Sequence, residues 1–215
     1  ANQESAYGLR PIGMVGSGPN STGITEYEIA SNNTNVIYNG GIVVPLASGY
    51  IDYAGDTAGG TTQALGVLTG VMYQDSVRKQ PVWLNYWPGS GAVSVDTNHP
   101  VRVYVADNPN QLFQVSSDAS LTNRATAVAT IFANTDLGTS ARTGSTDTGA
   151  SNSQASVANV NTTATLPLRI VGIVDDDANS DYTAAGIPLK VRLNAHFNAG
   201  TRRFDSQSTA DSTGL

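Results

Sequence analysis

The chain contains no cysteine, and few of its side chains are chemically reactive. Its 215 residues include two histidines, His99 and His196, and two lysines, Lys79 and Lys190. The lack of cysteine excludes disulfides and thiolate metal sites. Charged residues make up 13% of the chain, about half the share usual in a soluble domain. Stability must therefore come from packing, strand pairing and association, and the composition favours a structural or binding protein over an enzyme.

Basic residues are also scarce, so the net charge is −6. This charge disfavours electrostatic binding to nucleic acid or to an anionic membrane, and we expect neither as a partner. No apolar run is long enough for a membrane span, and we expect the start at Ala1 to be either a trimmed initiator Met or a processed end, without a leader peptide. These two features predict a cytosolic product that is neither secreted nor inserted into a membrane.

Short strands separated by turn residues dominate the chain. Residues 101–105 alternate, with valines on one face and Arg102 and Tyr104 on the other. Residues 65–73 form a second strand, in which Gly66 and Gly70 allow a bend or the close approach of another backbone. Turn signals recur roughly every 8–12 residues, and no apolar stripe has a helical period. We therefore predict an all-β fold with an antiparallel β-barrel or sandwich core, an extended N-terminal arm and long irregular loops.

Two turns can be placed from glycine and its neighbours. The Asn-Gly-Gly sequence at 39–41 predicts a hairpin between strands at 36–38 and 42–44. Ser48 and Gly49 predict another turn, before a strand at 50–53.

The chain divides into an arm (1–24), a β-rich core domain (25–199) and a polar C-terminal tail (200–215). Within the core, residues 133–164 are rich in Thr, Ser and Ala and too long for an ordinary loop. They are either an irregular, weakly paired region or a disordered excursion. The arm is either a frayed terminus or a segment that docks on a neighbouring subunit, and we favour docking. The candidate docking residues are Tyr7, Leu9, Arg10, Pro11 and Ile12.

Trp83, Tyr86 and Trp87 form the aromatic centre of the chain and cannot all share one face of a flat strand. Large aromatic side chains most often anchor a core or a subunit interface, which is the interpretation we favour. The alternative is a platform on which sugar rings stack.

Two further patterns suggest chemistry only weakly. Asp175, Asp177, Asn179 and Asp181 alternate like the ligands of a calcium loop, but the required glycine and closing glutamate are missing, so we predict no metal site. No nucleophile elbow is present. The glutamates that could form a carboxylate pair, Glu26 and Glu28, would share one face of a strand and are typical of a solvated edge. We expect no enzymatic activity and no cofactor.

Several short stretches together resemble small virion structural proteins of tailed bacteriophages, notably T7-like and related phages of marine bacteria and cyanobacteria. These stretches are the Ala-Asn start with Tyr-Gly-Leu-Arg-Pro-Ile at 7–12, Glu-Tyr-Glu-Ile at 26–29, Leu-Gly-Val-Leu-Thr-Gly at 65–70 with Asn-Tyr-Trp-Pro at 85–88, Val-Ala-Asp-Asn-Pro-Asn-Gln-Leu-Phe at 105–113, and Thr-Leu-Pro-Leu-Arg-Ile-Val-Gly at 165–172. The resemblance extends to about Asn198. It is poor over 133–164 and after Gly200.

The resemblance implies a capsid decoration (cement) protein. Such a protein binds the outer surface of the assembled head and stabilises contacts between major capsid protein subunits. The implied partners are the major capsid protein and further copies of the chain, with a homotrimer favoured. The implied location is the virion surface, after assembly in the host bacterial cytoplasm. The alternative function is a carbohydrate-binding or host-adhesion module of a phage fibre, or another virion component.

Overall fold

The fold is built from two antiparallel sheets, which confirms the all-β prediction. The computed structural model describes residues 1–3, 6–16, 23–54, 63–138 and 143–199. The strands are β1 (Arg10–Met14), β2 (Ile24–Ile29), β3 (Ile42–Pro45), β4 (Ile51–Tyr53), β5 (Gly66–Gln74), β6 (Pro81–Leu84), β7 (Val101–Ala106), β8 (Gln111–Ser116), β9 (Asn134–Thr135), β10 (Leu168–Ile173) and β11 (Pro188–Leu193). One α-helix, α1 (Arg124–Ala129), and a 3-10 turn (Asp177–Asn179) complete the regular elements of the described residues.

The strand order defines a sandwich-like arrangement. The first sheet has the order β1-β8-β11-β10-β9, and the second has β2-β7-β5-β3-β4 with β6 paired to β5. The second sheet curls, so its edge strands β2 and β4 come close in space without pairing. Over the described ranges neither sheet closes into a barrel, so the sandwich alternative is the one that fits.

The fold has two apolar cores, and the first of them joins the two sheets. In the first core, Phe113 and Val191 of the first sheet belong to one cluster with Val67 and Ala106 of the second. The second core lies on the opposite face of the second sheet and includes Val103, because successive side chains in a strand point to opposite faces. The second sheet is therefore covered on one face by the second core, and in part on the other by the first sheet.

One of the two predicted turns connects a hairpin and the other does not. At 48–49 the prediction is confirmed, since β3 and β4 pair antiparallel and Gly49 has a positive φ of 87°. At 39–41 a turn forms, with the Gly41 amide donating to the Tyr38 carbonyl (3.0 Å). The predicted hairpin is wrong, because Ile37 bridges to Trp87 and β3 pairs with β4 and β5.

The Thr/Ser-rich stretch is irregular and packed, as far as residues 133–138 and 143–164 show. Ala155 is buried in the first core, and its amide donates to the Ser116 carbonyl (2.9 Å). The buried Thr135 hydroxyl donates to the Ser156 carbonyl. Apart from β9, which pairs with β10, main-chain and hydroxyl hydrogen bonds take the place of sheet pairing here, because buried polar groups must find partners. The tail at 200–215 lies outside the described residues.

Candidate binding surface

The predicted docking segment lies partly inside this chain. Tyr7 and Leu9 are buried (6% and 1% exposed), and the Leu9 amide donates to the Gly40 carbonyl (3.0 Å). Neither side chain is available to a neighbouring subunit. Arg10, Pro11 and Ile12 belong to β1, an edge strand of the first sheet, and all three are exposed. The Arg10 guanidinium lies over the Tyr7 ring, 3.9 Å from its centroid.

A small apolar cleft opens between β1 and β2. Its volume is about 140 Å³, and we call it the β1–β2 cleft. Its lining residues are Pro11, Ile12, Gly13, Gly23, Ile24, Ala106 and Gln111. Ile12 and Ile24 are 41% and 49% exposed, which is unusual for isoleucine. An edge strand that presents apolar side chains beside an apolar cleft is a surface that a partner can cover.

The three predicted aromatic residues have three different environments. Trp87 is fully buried in the second core, where its indole N–H donates to the Asn33 carbonyl (3.2 Å). Tyr86 is half-buried and stacks on Tyr38 at 5.5 Å. Trp83 is 60% exposed on β6. Trp87 therefore lies in the core, and Trp83 keeps an open ring surface.

Trp83 belongs to a group of side chains on the uncovered part of the second sheet, which we call the open face. The strand register places Trp83 beside Met72, Met72 beside Arg102, and Arg102 beside Glu28. The adjoining row contains Gly70, Tyr104 and Glu26. The open face is defined by Glu26, Glu28, Gly70, Met72, Trp83, Arg102 and Tyr104.

Polar contacts fix the side chains of the open face. The Trp83 and Tyr104 rings stack with centroids 4.9 Å apart and planes 18° from parallel. The Tyr104 hydroxyl donates to Glu26 Oε2 (3.4 Å), and Arg102 Nε lies 3.5 Å from Glu26 Oε1. Partial burial, followed by the Glu26 charge, raises the pKa of Tyr104. An exposed ion pair of this kind contributes little stability, so its effect is to orient the groups.

The open face could be only half predicted from the sequence. The alternation of residues 101–105 correctly placed Arg102 and Tyr104 on the outward face, and Glu26 and Glu28 are exposed on an edge strand as expected. The contact between Tyr104 and Trp83 was missed. It joins two strands that are separated by β5, and no local pattern indicates that pairing.

Three of the four candidate calcium ligands contact other partners. The four candidates are Asp175, Asp177, Asn179 and Asp181. Asp175 pairs with Arg124 Nη1 at 2.7 Å, and the buried Asn179 amide donates to Asp176 (2.7 Å). Hydrogen bonds from Thr183 are the main cause that lowers the pKa of Asp181 to about 2. Among the residues that the structure describes, no group of three or more His, Cys, Asp or Glu side chains is placed to hold a metal ion.

His196 is buried at 1% exposure, whereas His99 lies on the surface beside Asp96 (3.7 Å). The Nδ1 atom of His196 accepts a hydrogen bond from the Asn198 amide (3.0 Å), which assigns a neutral ring. Burial is the dominant cause that lowers the pKa of His196 to about 4, and Asp107 partly opposes it. Asp107 accepts a 2.6 Å hydrogen bond from the Tyr27 hydroxyl.

Comparison with protein-family models, with curated proteins and with solved structures finds no match to this chain. None of the helices in the described ranges has the length and apolarity that a membrane crossing requires.

Proposed function

We propose that this chain is a non-catalytic capsid decoration protein of a tailed bacteriophage, and that the β1–β2 cleft is its contact with the assembled head. The sequence resemblance suggests the class of protein. The exposed apolar side chains of Ile12 and Ile24 around the cleft are the observation that carries the proposal, because they offer a partner a preformed apolar site.

The position of the cleft suits a protein that binds a shell. β1 is anchored on one side through β8 and through Leu9, so its backbone is held in place. A rigid surface loses little conformational entropy on binding. A ligand that binds the assembled shell and not the free subunits shifts the equilibrium towards the shell by mass action.

The test measures occupancy on assembled heads. Purified shells of major capsid protein are incubated with the chain and sedimented, and the bound chain is quantified. Ile12→Asp and Ile24→Asp each place a carboxylate at the apolar cleft, which must lose its hydration when a partner covers it. We expect each variant to lose at least tenfold in affinity for shells.

Val77→Asp is the matched control, because Val77 is 77% exposed and is not among the residues that line the cleft. It introduces the same charge change without touching the cleft. Deletion of residues 1–12 is a poor test, since it removes Leu9 from the core. Equal occupancy by all three variants and the parent chain would rule out the cleft as the contact.

A further inference from the structure

We propose that the open face is a second binding site, and that it takes a neutral, β-linked oligosaccharide stacked on Trp83. The site is separate from the β1–β2 cleft in its residues and in its chemistry. The proposal does not depend on the capsid function.

The Trp83 ring is presented as a rigid platform. One face of the ring lies against Tyr104 at 4.9 Å, so its 60% exposure comes from the opposite face and the edges. Tyr104 is held in turn by its hydrogen bond to Glu26. Gly70, directly opposite Tyr104 in the register, has no side chain to separate the two rings. An aromatic ring with its orientation fixed before binding loses little entropy when a ligand covers it.

The chemistry around the ring fits a sugar. The face of an aromatic ring carries partial negative charge, and the axial C–H groups of a pyranose carry partial positive charge. Glu26, Glu28 and Arg102 lie in the same two rows as the rings and can exchange hydrogen bonds with hydroxyl groups. Strands in a sheet are roughly 4.8 Å apart, so Arg102 lies two strands, or roughly 10 Å, from Trp83 along its row. A chain of linked rings can span this distance.

A recess borders the platform and gives a substituent room. Its volume is about 170 Å³, and Met72, Pro81, His99 and Arg102 contribute to its lining. Met72 and Arg102 also belong to the open face, so the recess continues the row that starts at Trp83. A substituent on a ring next to the stacked one, such as an acetamido group, can enter it.

Charge and shape argue against other ligands that stack on aromatics. Single-stranded nucleic acid also stacks on aromatic side chains, but it requires a positive groove. The open face has two carboxylates and one guanidinium, and the chain has a net charge of −6. A small cofactor would need a deep pocket that buries most of its surface. A protein partner could use Trp83 as a hot spot, and the experiment separates this case.

The chain offers a direct readout, because it has two tryptophans and one of them, Trp87, is fully buried. Chitohexaose and cellohexaose are titrated while tryptophan fluorescence is followed, and heat release gives an independent affinity. We expect saturable binding with an emission change from Trp83, and tighter binding of chitohexaose if the recess takes the acetamido group. Heparin, an anionic polysaccharide, is expected not to bind.

Trp83→Ala is expected to weaken binding at least tenfold, and Glu26→Gln is expected to weaken it less. Phe197→Ala is the control, because Phe197 is a 54% exposed aromatic residue outside the open face. It should bind like the parent chain. The same variants are measured for occupancy on shells.

Failure of both neutral oligosaccharides to bind at millimolar concentration would overturn the proposal, as would binding that survives Trp83→Ala. Loss of shell occupancy in Trp83→Ala, without any oligosaccharide binding by the parent chain, would show that the open face is a protein contact. Shell occupancy that depends on Ile12 and not on Trp83 leaves the capsid function intact whether or not the sugar site exists.

Discussion

At the scale of the residue, Gly66 lies where the backbone of β7 comes close to β5. A Cβ atom at this position would overlap the Ala106 carbonyl oxygen and lie 2.7 Å from Val105 Cγ1. A Cβ atom at Gly70, in the same strand, would lie 3.7 Å from the Leu84 carbonyl oxygen, which is an ordinary contact. The two glycines therefore have different structural roles, although the same role, a bend or a close approach, was predicted for both.

Gly66→Ala is expected to lower the free energy of unfolding by about 3 kcal/mol, because the rigid backbone of β7 has to move. Gly70→Ala is the control and is expected to leave stability unchanged or slightly raised, since alanine restricts the unfolded chain. Urea denaturation followed by circular dichroism measures both. Equal losses in the two variants would contradict the account of close strand approach.

His196 makes stability depend on pH. Its pKa is about 4 in the folded chain and about 6.5 in an unfolded chain, so protons bind preferentially to the unfolded state between these values. The stabilisation is complete above about pH 6.5 and is lost as the pH falls towards 4, by about 3 kcal/mol in total. Urea denaturation between pH 4 and 7 should show this slope.

His196→Asn keeps an acceptor near the Asn198 amide and removes the titrating group, so its stability should vary less over this range. His99→Asn, on the surface, is expected to keep the slope of the parent chain. A parent chain with constant stability from pH 4 to 7 would contradict the assigned burial of His196.

At the scale of the element, the exposed residues of β1 directly follow a residue that is buried in the core. Leu9 immediately precedes the strand and lies in the first core, whereas Ile12 within it is 41% exposed. Leu9→Ala is expected to cost about 3 kcal/mol of stability, because it leaves a cavity. Ile12→Ala is expected to change stability by less than about 0.5 kcal/mol. Thermal unfolding of both variants distinguishes the anchoring role of Leu9 from the docking role of Ile12. A large loss of stability in Ile12→Ala would show that Ile12 packs within this chain, and would contradict its availability to a partner.

The Thr/Ser-rich segment depends on Gly149 for its contact with the residues after β6. Gly149 has a φ of +70°, and a Cβ atom there would overlap the Asn85 side chain and lie 2.6 Å from Tyr86 Cδ1. Gly149→Ala should speed hydrogen exchange of the Asn39 amide, which donates to the Gly149 carbonyl, and of the Ser151 amide, which donates to the Asn39 carbonyl. Gly91→Ala, with open space around it, is the control. Unchanged exchange in Gly149→Ala would contradict the packing of this segment.

The elements differ in how well the sequence predicts them. Alternation identified β7, because burial of one face repeats every second residue there. Alternation carries no information on partners that are far apart in sequence, so the pairing of β8 with β1 and β11 could not be foreseen. The wrong hairpin prediction at 39–41 has the same cause. The turn itself forms, but the two flanking segments pair with residues far away in the sequence and not with each other.

At the scale of the whole molecule, the fold presents two surfaces of different chemistry. The β1–β2 cleft is apolar, and the open face is aromatic and polar. The sequence indicated residues from each, Ile12 for the first and Trp83 for the second. Their grouping with Ile24 and with Tyr104 depends on contacts between strands far apart in the sequence, which no local pattern encodes.

The most direct test of the capsid proposal is the temperature at which heads break open, followed with a dye that fluoresces on released DNA. Heads carrying the chain are compared with heads from which it is missing, and with heads given Ile12→Asp. If the chain binds the intact head and not the opened head, it stabilises the intact head by about 2.7 kcal/mol per site when its free concentration is about 100 times the Kd. The account predicts a saturable rise in the opening temperature with the parent chain and no rise with Ile12→Asp. An opening temperature that is the same with and without the bound chain would contradict it.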